Sequence, residues 1–131
     1  MTNRNLFVIF IFLATALEVG FAQEPPSSDP CAEATTTLEM QECLQVRYEK
    51  ADADLNLVYK LLKSKLSERR QIKLQAVQRA WIFFRDKSAE FEASEEEDGS
   101  MYPLIYQLTL AEMTEKRVEK LKQLIQRIDK P

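Results

Sequence analysis

Residues 44–66, LQVRYEKADADLNLVYKLLKSKL, decide the fold. Within them Leu44, Tyr48, Ala51, Leu55, Val58, Leu62 and Leu66 recur at steps of 4, 3, 4, 3, 4 and 4. That rhythm lays one continuous apolar stripe along an α-helix. Upstream, Thr36-Thr37-Leu38-Glu39 places Thr36 as N-cap and Glu39 three residues later, a capping box that predicts where this helix begins.

Downstream, Ser67 opens a second segment in which Ile72, Ala76 or Val77, Ala80 or Trp81, Phe84, Ser88 and Phe91 keep the same beat. Trp81-Ile82-Phe83-Phe84 spreads apolar bulk around more than half of the circumference, which predicts a helix sandwiched between two partners. Ser94 to Ser100 breaks the pattern, with Ser100 as the expected N-cap of a third helix and Pro103 tolerated in its first turn. Leu104, Leu108, Ala111, Thr114 or Glu115, Val118, Leu121, Ile125 and Ile128 then complete a third stripe. The expected spans are 36–66, 68–93 and 101–128, about 46, 39 and 42 Å long at 1.5 Å per residue. Matched lengths and short connections predict an all-α, antiparallel three-helix bundle, up-down-up.

Composition excludes the alternatives. A sheet domain needs Gly, Pro or Asn at turns about every 8–12 residues, and between Cys31 and Ile128 there is one glycine, Gly99, and one proline, Pro103. The chain has no His, which removes imidazole proton shuttling. No glycine loop cradles a phosphate, no zinc spacing occurs, and the acidic run lacks the alternating ligands of a calcium loop. Sequence reading therefore expects no catalytic residue, metal or cofactor.

Met1 to Ala22 carries an early positive charge, Arg4, an apolar run from Leu6 to Leu17, and small residues Gly20 and Ala22 before a cut at Gln23. That is the layout of a secretory signal peptide, and the run is shorter than the roughly 20 residues a spanning helix needs. The expected organisation is a signal peptide at 1–22, a flexible leader at 23–30 and one helical domain at 31–131, with no membrane association after cleavage. An exported chain with two cysteines points to a Cys31–Cys43 disulfide, the other reading being two free buried thiols. Residues 12 apart on one continuous helix stand about 18 Å apart, too far to bond. The disulfide therefore requires an N-terminal segment that doubles back and is clipped to the first helix.

Cleavage removes one base, Arg4, and one acid, Glu18, so the net charge stays at −3, which argues against nucleic acid as a partner. The charge is polarised. Lys60, Lys63, Lys65, Arg69, Arg70 and Lys73 surround the first turn, whereas Glu90, Glu92, Glu95, Glu96, Glu97 and Asp98 surround the second. Two readings of Glu95 to Asp98 stand, a solvated loop and a docking site for a cationic partner. Asp52, Asn56 and Tyr59 fall on one side of the first helix, and Gln78, Arg79, Arg85 and Asp86 flank Trp81. One arrangement pairs Arg85 with a carboxylate of the first helix to set the register, and the other makes these groups a binding groove.

Cys31, Glu39-Met40 through Cys43, Ala51-Asp52-x-x-Leu55-Asn56-x-x-Tyr59, Leu74-x-x-x-Gln78-Arg79-Ala80-Trp81-x-x-x-Arg85-Asp86, Gly99-Ser100 and Thr114-x-x-Arg117-x-x-x-Leu121 form an ordered set. It resembles the LprI-type lysozyme-inhibitor domain of small exported bacterial proteins. The resemblance implies a helical, non-enzymatic periplasmic or secreted binding protein whose partner is a cationic lysozyme. The alternative is an envelope adaptor or immunity-type protein that recognises a self partner. Members often carry a second cysteine pair, and the matching positions here are Ala89 and Thr109. Packing of Phe91 and Leu108 is one expected substitute for that missing clip, and greater mobility of this end is the other.

Overall fold

The computed structural model describes residues 30–130, so the expected signal peptide and all but the last residue of the leader lie outside the described residues. Three helices follow in order: α1 (Thr37–Ser64), α2 (Glu68–Ala93) and α3 (Tyr102–Asp129), with a 3₁₀ turn at Ser94–Glu96 between the last two. No strand occurs among the described residues, and none of their helices is long and apolar enough to cross a membrane.

α1 starts where the capping box predicts. The Glu39 amide donates to Thr36 Oγ1 at 3.2 Å, and Glu39 Oε2 accepts from the amides of Thr35 and Thr36 at 2.9 and 3.0 Å. These donors stabilise the carboxylate and hold Glu39 below its ordinary value of 4.5, the Thr35 amide contributing most. α3 departs from expectation by one residue. Its N-cap is Met101 in helical geometry, not Ser100, and no side chain caps it, although Pro103 does sit in the first turn.

Cross-helix contacts give the directions. Arg47 of α1 meets Glu115 of α3, and Lys65 near the end of α1 meets Asp129 at the end of α3, so α1 and α3 run parallel. Gln78 and Arg85 of α2 meet Arg117 and Thr114 of α3 in reverse order, so α2 runs antiparallel to both. The bundle is up-down-up, as expected. Leu55, Leu62, Val118 and Leu121 form one core cluster between α1 and α3. A second, built from Cys31, Leu44 and Leu104, anchors the N-terminal segment, where the Cys31–Cys43 disulfide closes at a Cα separation of 5.8 Å.

α2 is not the sandwiched helix. α3 packs against both α1 and α2 and occupies the middle, while α1 and α2 approach each other far less. The buried face of α2 consists of Leu74, Gln78, Trp81, Arg85, Ala89 and Ala93, at steps of 4, 3, 4, 4 and 4. The expected stripe of Ile72, Val77, Phe84 and Phe91 faces away, with Phe91 75% exposed. Both stripes have helical periodicity, so periodicity could not choose between them. The winning face ends in Ala89 and Ala93, both fully buried, whose small side chains permit close helix approach where phenylalanine would not. Of the two residues expected to pack in place of a second cysteine pair, Phe91 does not, whereas Leu108 packs on the Cys31, Leu44 and Leu104 cluster, and Ala89 is fully buried.

Two outcomes test this account. Ala89→Leu should destabilise the protein by about 1–3 kcal/mol through overpacking, whereas Phe91→Ser should stay within about 0.5 kcal/mol, both read from urea unfolding. Because the folded-state value of Glu39 is depressed, its contribution is present above the ordinary 4.5 and is lost as pH falls through the lower folded value. Glu39→Gln should accordingly lower the melting temperature near neutral pH and converge on the parent protein in acid.

Candidate functional site

Arg85 is the most buried charged side chain described, 6% exposed. Its Nε and Nη2 donate to Asp86 Oδ1 at 2.9 and 2.8 Å, and its Nη1 donates to Thr114 Oγ1 at 3.2 Å. The expected carboxylate of α1 is Asp52, whose Oδ1 stands 3.7 Å from Nη1, farther than Asp86 of Arg85's own helix. The guanidinium lies over the rings of Tyr48 at 5.4 Å and Trp81 at 5.5 Å. Thr114 passes its own proton to Leu110 O at 2.6 Å, so the threonine is satisfied in both directions. Burial raises the Tyr48 pKa, and the nearby Arg85 charge opposes that rise.

A second arginine completes the arrangement. Arg117 donates through Nε and Nη2 to Gln78 Oε1 at 3.1 and 3.0 Å and lies over Trp81 at 5.3 Å. Burial pushes its pKa down. Gln78, Arg85, Asp86 and Asp52 are thus brought together across the three helices. Asn56 is not part of this network: it turns back along α1 to Asp52, its Nδ2 at 2.9 Å from the backbone oxygen and 3.1 Å from Oδ2. Tyr59 packs on the α1–α3 core. Tyr48, Thr114 and Arg117 were missed by helix-surface spacing because they come from neighbouring helices. Among the described residues no buried polar side-chain atom of this centre lacks a partner, the arrangement expected of a lock on helix register.

The exposed chemistry lies elsewhere. Glu95, Glu96, Glu97 and Asp98 are all exposed on the turn between α2 and α3, at the disulfide end of the bundle. The Gly99 amide closes this turn onto Glu96 O at 2.8 Å. None of the four carboxylates enters an ion pair among the described residues. They do not converge either: among those residues no group of three or more acidic or cysteine side chains could hold a metal. Adjoining them is the outward face of α2. At about 100° per residue, Ile72, Val77, Phe83, Phe84 and Phe91 fall within an arc of roughly 140°, and all five are exposed. Phe91 sits one helical turn before Glu95, and the Lys87–Glu90 ion pair interrupts the apolar residues of this face between Phe84 and Phe91. Exposed apolar faces of this kind mark protein contact surfaces.

The family model described as lysozyme inhibitor LprI matches residues 28–121. An uncharacterized protein of Rhizobium meliloti (strain 1021) is 33% identical over 118 residues, covering 80% of this chain and 84% of its own. No solved structure matches.

The lock makes a stability prediction. Arg85→Ala should cost about 2–4 kcal/mol, from lost stacking on two rings and lost pairing. Arg85→Lys, which keeps the charge but not the planar fork, should recover only part of that loss in urea unfolding.

Proposed function

This chain belongs to the LprI lysozyme-inhibitor family, and from that membership we propose that it is an exported, non-enzymatic inhibitor that binds a cationic lysozyme. The observation that carries the reading is the pairing of unneutralised acid with exposed aromatic surface at one end of the bundle. Glu95, Glu96, Glu97 and Asp98 supply a field that attracts a positive surface and speeds encounter. Phe84 and Phe91 supply what charge alone does not, apolar area that is desolvated on contact and holds the complex once formed.

The rigidity behind this surface matters to binding. Arg85 ties α2 to Thr114 of α3, and the clipped Cys31 packs on Leu104 at the start of α3, so the elements on either side of the turn are held before a partner arrives and less ordering entropy is lost on association. A signal peptide at 1–22 delivers the protein to the periplasm or beyond, where lysozyme acts and where the disulfide is stable.

Titration of the purified protein against several lysozyme types, with binding and inhibition read together, tests the proposal. Neutralising the turn with Glu95→Gln, Glu96→Gln, Glu97→Gln and Asp98→Asn should slow association and flatten its salt dependence. Phe91→Ser should instead speed dissociation and leave the salt dependence intact. Unchanged affinity in both variants removes this surface as the contact.

A further inference from the structure

Between the first half of α2 and the last half of α3, with the end of α1 as its base, runs an open groove of about 490 Å3. It lies at the end opposite the acidic turn. Leu62, Leu66, Leu74, Val77, Leu124 and Ile128 make it apolar inside. Arg70, Lys73, Arg117, Lys120 and Arg127 supply every charge that lines it, and no acidic residue does. Arg117 is already held by Gln78. The other four cations enter no ion pair among the described residues.

We propose that this groove binds a single-chain anionic amphiphile of the fatty-acid class, its acyl chain on the leucine-rich floor and its carboxylate among the cations of the rim. The composition selects the ligand from both sides. A cationic protein surface is repelled by five like charges. A polyanion without apolar parts leaves the floor wet, forfeiting the larger share of the buried area. A neutral lipid leaves the arginines and lysines without a counter-charge. One alkyl chain with one anionic head satisfies floor and rim together, and the groove falls within the roughly 300–1,000 Å3 that small-molecule sites occupy. Arg and Lys stems can pack along the chain while their charged ends reach the head. The groove lies at the opposite end from the acidic turn and shares only Val77 with the exposed face of α2.

Calorimetric titration of the purified protein with laurate, kept below its micelle concentration, is the test. Trp81, the one tryptophan in the chain, gives a parallel fluorescence signal because Arg117 lies over its ring beside the groove. Laurate should bind with one-to-one stoichiometry, decanol at least tenfold more weakly, and acetate not at all. Lys73→Glu with Arg127→Glu should weaken laurate at least tenfold. Val77→Asp, at a position already 55% exposed, should do the same without altering the thermal melt. Absence of laurate binding overturns the proposal, as does equal affinity in both variants. Acetate or a hexaglutamate peptide binding as tightly as laurate overturns it too, since the site would then be an anion or acidic-peptide site.

Discussion

A guanidinium buried where three helices meet is the constraint on which the rest of this molecule depends. A charge taken out of water must be paired and hydrogen-bonded to be tolerated, and Arg85 meets that demand through partners on all three helices. It needs Asp86 on its own helix, Thr114 on α3, and Asp52 and the Tyr48 ring on α1. Sliding α2 by one turn, or rotating it to bury its phenylalanines, would keep Asp86 beside the charge but take away Thr114, Asp52 and the Tyr48 ring. Apolar packing alone is more forgiving, because one leucine contact resembles another.

Burying the arginine face has a consequence on the opposite side. α2 carries two apolar-rich faces, and the bundle uses the one bearing Gln78 and Arg85, so Phe83, Phe84 and Phe91 remain in water. Exposing large aromatics costs solubility and is usually avoided unless a partner covers them. Here Phe91 stands one turn before the first of four consecutive carboxylates, which keep that end soluble and bias it towards cationic surfaces. The opposite end has the reverse construction, an apolar groove rimmed by positive charge. The molecule is thus a short rod with two chemically opposite ends, held apart by α3.

Much of this was legible in residue order. The stripe from Leu44 to Leu66, the capping box at Thr36 and Glu39, and the scarcity of glycine and proline determined three helices with nearly correct ends. The third-helix stripe was equally clear, with Thr114 rather than Glu115 turned inward. α2 was the exception for an identifiable reason. Hydrophobicity ranks Phe84 and Phe91 above Gln78, Arg85 and Ala89, whereas the bundle rewards small size at close approach and a full set of partners for a buried charge. The family-like spacing Leu74-x-x-x-Gln78-x-x-Trp81-x-x-x-Arg85 carried the right face all along, as did the expectation that Arg85 pairs with a carboxylate of the first helix.

By itself, then, the sequence determined what is local: helix content and boundaries, the doubling back that a Cys31–Cys43 bond requires, and the segregation of acid and base to alternate turns. Each depends on residues within a few turns of one another. Tertiary structure alone decided which face of α2 is inside, that α3 and not α2 is the central helix, and that five cations distant in sequence ring one apolar groove. Those outcomes depend on which surfaces three helices can bury simultaneously while every interior charge keeps its partners, a condition that no single helix carries in its own periodicity.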